Sequence, residues 1–323
     1  MREFKIALFG PRYVGKTSLL AAMYQQLQNG SDPTNIQFTP DANTAKILEK
    51  RLAELKNLSE DFEARRGVQN TEAAAGPESL RSFIFDLGKK GTQPSMRLHF
   101  QDYPGGYVIS QDSEEQQFVK QLLVEAAAVL IVIDAPALME AKGRWHNYKN
   151  TPLEITAWFR KVYQNIQSPR LVILAPVKCE SYMQTSKSAD RLLQRVKDEY
   201  ANLLELLGSS ELLDNVAVVI APVQTVGNVF FSRVQNINDK PHFLFTKREY
   251  DAEYNPQDSE QPLKYLLRFL LKLHVQSQWG RFNFLRDWFN IDERLKQAVS
   301  EFATDCKNTR GFEVVQGKDW LNI

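Results

Sequence analysis

Ile6-Ala-Leu-Phe9, then Gly10-Pro-Arg-Tyr-Val-Gly15-Lys16-Thr17, then Ser18-Leu-Leu-Ala-Ala-Met-Tyr-Gln-Gln-Leu-Gln28 is the stretch on which the reading of this chain turns. The first four residues are apolar and short, as in a buried strand, and the leucines and alanines after Thr17 recur at helical spacing. Strand, Gly-x-x-x-x-Gly-Lys-Thr loop and helix in that order are the context a phosphate-binding loop requires. Gly10 and Gly15 permit backbone conformations and a close approach that a side chain blocks. The N–H groups of the loop, from Tyr13 and Val14 through Ser18, then turn inward, and the helix that begins near Lys16 adds the positive end of its dipole. Lys16 is placed to reach β- and γ-phosphates, and the Thr17 hydroxyl to bind Mg²⁺.

Composition narrows the rest. A chain of 323 residues fits an α/β core with insertions or a small extra module. A net charge of +1, from 40 basic and 39 acidic residues, gives no general electrostatic case for nucleic acid or an anionic membrane. Cys179 and Cys306 make neither a disulfide framework nor a metal cluster, which suggests a reducing compartment. The histidines, His99, His146, His242 and His274, are scattered without ligand spacing. The N-terminus lacks the order of a signal peptide. The longest apolar run, Ala126 to Ile133, is far short of the roughly 20 residues of a spanning helix. The expectation is a cytoplasmic protein with no transmembrane segment.

Outward from the loop, the pattern alternates. Asp41 is a candidate cap for a long helix to Arg66, and 67–79 is small and polar, as in a mobile loop. Arg81–Leu87 and Ser95–Gln101 alternate as strands around the turn at Gly88–Gly91 and predict an antiparallel hairpin at a sheet edge. Ala127–Ile133, Arg170–Ala175 and Val216–Ala221 are β-branched runs, as in parallel strands buried on both faces. Helices are expected over 113–125, 152–167 and 187–207, with 137–151 irregular. The alternation predicts an α/β fold, a three-layer sandwich around a mostly parallel sheet with one antiparallel edge strand. Two strands around Asn236–Pro241 predict a β-hairpin insertion over 228–245, and 262–275 closes the core as a helix. The expected division is a nucleotide domain over 1–277, with an insertion at 41–80, and a C-terminal helical annex over 278–323, with a helix over Glu293–Cys306 and the last residues partly loose. The aromatics Trp279 to Phe289 either pack in that annex or form an exposed partner site.

Further signals lie at strand ends. Asp102-Tyr-Pro-Gly105 follows the second hairpin strand; in P-loop hydrolases such an Asp holds Mg²⁺ and such a Gly gives its N–H to the γ-phosphate. Lys178-Cys-Glu180 and Pro222-Val-Gln224-Thr225 follow two buried strands, on the edge where open α/β sheets bind ligands. Glu180 can accept two hydrogen bonds from guanine, with the Lys178 stem over the base plane.

Taken in order, Gly10–Thr17, Asp102–Gly105, Lys178–Glu180 and Pro222–Thr225 resemble a GTPase of the translation-factor/Ras-like (TRAFAC) class. Within it the chain is similar to divergent bacterial double-GTPase (DO-GTPase) domains of conflict and signalling systems, over roughly residues 1–277. The resemblance implies GTP and GDP as ligands, Mg²⁺, slow hydrolysis, a switch role, and a protein partner or homodimer. It also exposes departures. Val177 and Glu180 replace the Asn/Thr and Asp of the usual Asn/Thr-Lys-x-Asp motif. Gly106 stands where Ras-like enzymes place a water-orienting Gln. Arg12 and Tyr13 occupy loop positions where small residues are common, and Arg12 either reaches the γ-phosphate or lies in solvent. Thr71 is the candidate for the Mg²⁺-binding switch threonine, with Thr39 and Thr92 behind it. The alternative readings are a GTP-binding scaffold with little hydrolysis, or an ATPase on the same core.

Overall fold

The computed structural model describes residues 1–28, 36–58, 63–64, 81–102, 106, 112–164, 166–237, 240–249, 251–277 and 293–322. The strands are β1 (Arg2–Phe9), β2 (Ile36–Pro40), β3 (Glu63–Ala64), β4 (Arg81–Lys89), β5 (Met96–Asp102), β6 (Ala128–Asp134), β7 (Arg170–Val177), β8 (Val216–Ile220), β9 (Val229–Ile237), β10 (Lys240–Lys247) and β11 (Glu313–Gln316). The helices are α1 (Lys16–Gln28), α2 (Ala42–Asn57), α3 (Ser113–Glu125), α4 (Ala135–Met139), α5 (His146–Asn150), α6 (Pro152–Tyr163), α7 (Ser186–Glu199), α8 (Ala201–Leu207), α9 (Gln261–Ser277) and α10 (Glu293–Phe302).

An eight-stranded sheet in the order β11-β8-β7-β6-β1-β5-β4-β2 forms the middle layer. Strands β5, β1, β6, β7 and β8 run parallel, and antiparallel strands flank them on both sides. Alternation along each central strand divides its side chains between two cores. Ile6, Leu8, Leu130, Val132 and Ile173 meet α1, α2, α9 and α10 through Leu19, Leu52, Leu266 and Val299. Ala7, Phe9, Val129, Ile131 and Val172 meet α3, α6, α7 and α8 through Leu122, Phe159, Val196 and Leu203. Burial on both faces is why these strands read as unbroken apolar runs.

The expected architecture is present, with local differences that have physical causes. Asp41 caps α2 by accepting the Thr44 N–H at 2.8 Å, yet the helix stops at Asn57 rather than Arg66. Ala64 and Glu63 instead pair with Phe245 and Thr246 on the edge of the β9–β10 hairpin, where unpaired backbone groups offer ladder bonds. Two short helices, α4 and α5, occupy much of 135–151, and between them Ala141 and Lys142 take left-handed backbone, φ 47° and 58°. The helix expected over 187–207 breaks at the buried Tyr200.

The segment beyond 277 joins the same body in its described part. Leu295, Val299 and Phe302 of α10 enter the core beside α9. Residues 313–316, expected to be loose, pair antiparallel with β8. The Gln316 side chain donates to the Leu207 and Val216 carbonyls, each at 2.9 Å. Without β11, the edge of β8 would be left with unpaired backbone groups.

Candidate functional site

Because β5, β1, β6, β7 and β8 run parallel, their carboxyl ends share one edge of the sheet. Across it lie Asp102, the Gly10–Thr17 loop, Asp134, Lys178–Glu180 and the 222–227 loop. Residues far apart in sequence thus meet where an open α/β sheet binds its ligands.

The loop between β1 and α1 has the backbone of a phosphate cradle. Gly10 has φ +143°, and a Cβ there would lie 2.9 Å from the Val132 carbonyl oxygen. Val14 is buried beneath the loop, and Tyr13 adopts φ +68° with its ring exposed. A non-glycine residue in this conformation is strained, and such strain concentrates at ligand sites. The buried Lys16 ammonium donates to the Gly10 carbonyl at 2.7 Å and the Pro11 carbonyl at 3.1 Å. Its position also gives an ion pair of 3.4 Å with Asp102 Oδ1.

Asp102 is buried at the end of β5, and its Oδ1 has no hydrogen-bond partner among the described residues. Burial raises its pKa, opposed by the Lys16 and Arg81 charges. Arg81 sits opposite Asp102 in the β4–β5 register. It is a charged neighbour that the sequence pattern marked only as the start of a strand. A buried carboxylate beside a phosphate loop, its Oδ1 ion-paired with Lys16, together with the buried Thr17 at the start of α1, suits a hard divalent cation such as Mg²⁺.

On the other side of the loop, Val177 rests its Cγ2 3.2 Å from where a Cβ of Gly15 would stand. Lys178 has φ +60°, its Cε lies 4.0 Å from that same position, and its ammonium pairs with Asp134 Oδ2. Asp134 also accepts the Ala137 N–H at 3.0 Å, capping α4. In the sequence Asp134 only ends an apolar run and gives no local sign of its distant partner.

Glu180 behaves differently from a free base-reading carboxylate. It is buried, and Oε1 accepts the N–H groups of Val226 at 2.7 Å and Gly227 at 3.2 Å. Burial raises its pKa against these hydrogen bonds. In this structure it ties the 224–227 loop to the end of β7. The same loop is fixed from outside: Gln224 exchanges backbone bonds with Gln257, and Val226 accepts the Asn255 N–H. Gly227, at φ +87°, lies so close that a Cβ would come within 1.7 Å of the Asn255 carbonyl oxygen. Thr225 is buried within the loop.

The remaining expected residues divide. Thr71 and Gly105 lie outside the described residues, as do 67–79 and the aromatics of 279–289. Thr92 donates to the Lys89 carbonyl in the β4–β5 turn, at the opposite end of β5 from Asp102. Thr39 is exposed on the edge strand β2, paired with Asp86. Neither reaches the phosphate edge.

The sequence model of the family described as Double-GTPase 2 matches residues 5–215, which takes in the phosphate loop, Asp102, Asp134 and Lys178–Glu180. The chain belongs to the Double-GTPase 2 family. It is therefore a divergent P-loop GTPase by descent, as the motif order implied. Among solved structures it is similar to the signal recognition particle receptor SRb-GTP/SRX complex from Chaetomium thermophilum, at 15% identity, over 70% of this chain and 92% of that one, with a TM-score of 0.40. It is also similar to the S. cerevisiae Ski7 GTPase-like domain bound to GTP, at 13% identity, over 68% of this chain and 43% of that one, with a TM-score of 0.38. No curated protein matches it. Among the described residues, no helix is long and apolar enough to cross a membrane.

Proposed function

We propose that this chain binds GTP with Mg²⁺ and hydrolyses it slowly to GDP and phosphate, as a nucleotide-controlled switch in a bacterial signalling or defence system. The observation that carries this reading is Asp102: a buried strand-end carboxylate whose Oδ1 stands 3.4 Å from the ammonium of the loop lysine. Thr17 and Asp102 would hold Mg²⁺, which when bound supplies charge neutralisation across the β- and γ-phosphates.

The chain's own groups do the rest. Gly10 and the N–H groups from Tyr13 to Ser18 bind the phosphates. Lys16 exchanges its carbonyl partners for phosphate oxygens. The Lys178 stem lies along the base, its ammonium held by Asp134. Glu180, with Gln224 and Thr225, shapes the base pocket by fixing the 224–227 loop, and this support for guanine is geometric rather than a direct contact. Hydrolysis is expected to be slow, about 10⁻⁴ to 10⁻² s⁻¹ without a partner or second copy.

Binding of labelled GTP and ATP to the purified chain tests the reading. A clear preference for GTP is expected, and equal affinity would remove the guanine assignment. Lys16→Ala should lower GTP affinity by at least about 100-fold, because it removes a buried cation from the phosphate site. Unchanged binding would overturn the loop assignment. A second reading, a GTP-binding scaffold that scarcely hydrolyses, is favoured by Gly106, which offers no side chain to orient water. Multiple turnovers in a phosphate-release assay would count against it.

A further inference from the structure

Gly106 and Arg12 are 94 positions apart in the chain and in contact in the fold. A Cβ built on Gly106 would stand 3.5 Å from Arg12 Nε, 3.5 Å from Nη2 and 3.7 Å from Cζ. Arg12 leaves the phosphate loop two residues after Gly10, and its side chain is exposed at the loop rim. The guanidinium therefore fills the space into which a side chain at 106 would project. An alanine there is only in van der Waals contact with it, whereas a longer chain must displace it. A missing side chain and an unexpected cation are thus one spatial exchange.

We infer that Arg12 is the catalytic cation of this site, taking in cis the place that a side chain at 106 would otherwise fill; this deepens the GTPase reading and rests on it. A guanidinium is planar, permanently charged and carries a fixed fork of donors that matches phosphate oxygens. From the loop rim it bonds the γ-phosphoryl oxygens as charge shifts toward the leaving group. A water oxygen forms the new bond to the γ-phosphorus. The bond from that phosphorus to the bridging oxygen breaks, and its electron pair remains on GDP. One water proton stays on the released phosphate and the other passes to solvent. Arg12 keeps its protons throughout and contributes only hydrogen bonds and charge.

Two consequences distinguish this arrangement. Removing Arg12 slows the chemical step without weakening ground-state binding, since Lys16 and the loop N–H groups supply that. Adding a glutamine at 106 has opposite effects in two backgrounds: with Arg12 present it displaces the guanidinium, and with Arg12 gone it gains the vacated space.

The test measures single-turnover phosphate release, GTP affinity, and binding of GDP with aluminium fluoride. The chains are the wild type, Arg12→Ala, Arg12→Lys, Gly106→Gln and the Arg12→Ala/Gly106→Gln double variant. Expected for Arg12→Ala is a fall in turnover of about 30-fold, the span between class members with and without a cis arginine. GTP affinity should stay within about threefold, and the aluminium fluoride complex should be lost. Arg12→Lys should recover little, because an ammonium lacks the fork. Gly106→Gln should slow the wild type and speed Arg12→Ala. Turnover in Arg12→Ala equal to or above wild type, with GTP bound normally, overturns the inference alone. A wild type that binds no GTP overturns both the inference and the function it rests on.

Discussion

His146 gives stability a pH dependence. Asn150 Oδ1 accepts the Asp134 N–H at 2.8 Å, so the Asn150 amide nitrogen faces His146 Nδ1 at 3.0 Å as a donor. That bond requires a bare Nδ1 and leaves the ring proton on Nε2, 4.0 Å from Glu199. The ring is 1% exposed and edge-on to Tyr200. Burial, with the Arg195 charge adding to it, lowers its pKa from 6.5 to about 4. Between those values the unfolded chain binds more protons than the folded one, so stability rises with pH across this window and falls on acidification. From pH 7.5 to pH 5 this group should cost about 2 kcal/mol. Urea melts at both pH values, on the wild type and on His146→Gln, check it. The variant should lose that share of the pH dependence, and identical slopes would refute the assignment.

At the scale of elements, the short helix α5 acts as a brace for β6. Asn150 bonds both backbone groups of Asp134, accepting its N–H and donating to its carbonyl at 3.1 Å. Asp134 in turn holds Lys178 and caps α4. Asn150→Ala leaves those buried backbone groups unpaired, so a loss of about 2–4 kcal/mol is expected. Equilibrium denaturation measures it, and a loss below 1 kcal/mol would mean that water replaces the amide. GTP affinity should weaken alongside, since Lys178 is placed through Asp134. None of this was visible in the sequence. Periodicity needs about ten residues to register, and α4 and α5 have five each. Long elements were legible for the converse reason: α1, α3, α6 and α9 each bury an apolar stripe that the spacing displays.

For the whole molecule, the C-terminal residues close the sheet. Trp320 is buried, its ring 6.3 Å from Phe269 on α9, and its indole N–H donates to the Asp214 carbonyl at 2.8 Å. Trp320→Ala should destabilise the fold by about 3–5 kcal/mol. A tail that merely frays would show almost no change in thermal melting, so the experiment separates the two descriptions. Charge at the C-terminal segment serves the same closure, with Lys197 paired to Glu313 at 2.9 Å and Lys307 paired to Asp258 beside the nucleotide-side loop.

The sequence alone determined whatever depends on neighbours along the chain. The strand–loop–helix order at Gly10–Thr17, the buried strands and the position of Asp102 at a strand end are local grammar, set by side-chain period and glycine freedom. The tertiary structure decided what depends on pairs far apart in the chain. It put the Glu180 carboxylate, expected to read the base, on the Val226 and Gly227 N–H groups, and it gave Lys178 its partner Asp134. It put Arg12 against Gly106, and it brought an expected loose tail into the sheet. Such pairings rest on sheet order and backbone approach, which no window of sequence contains.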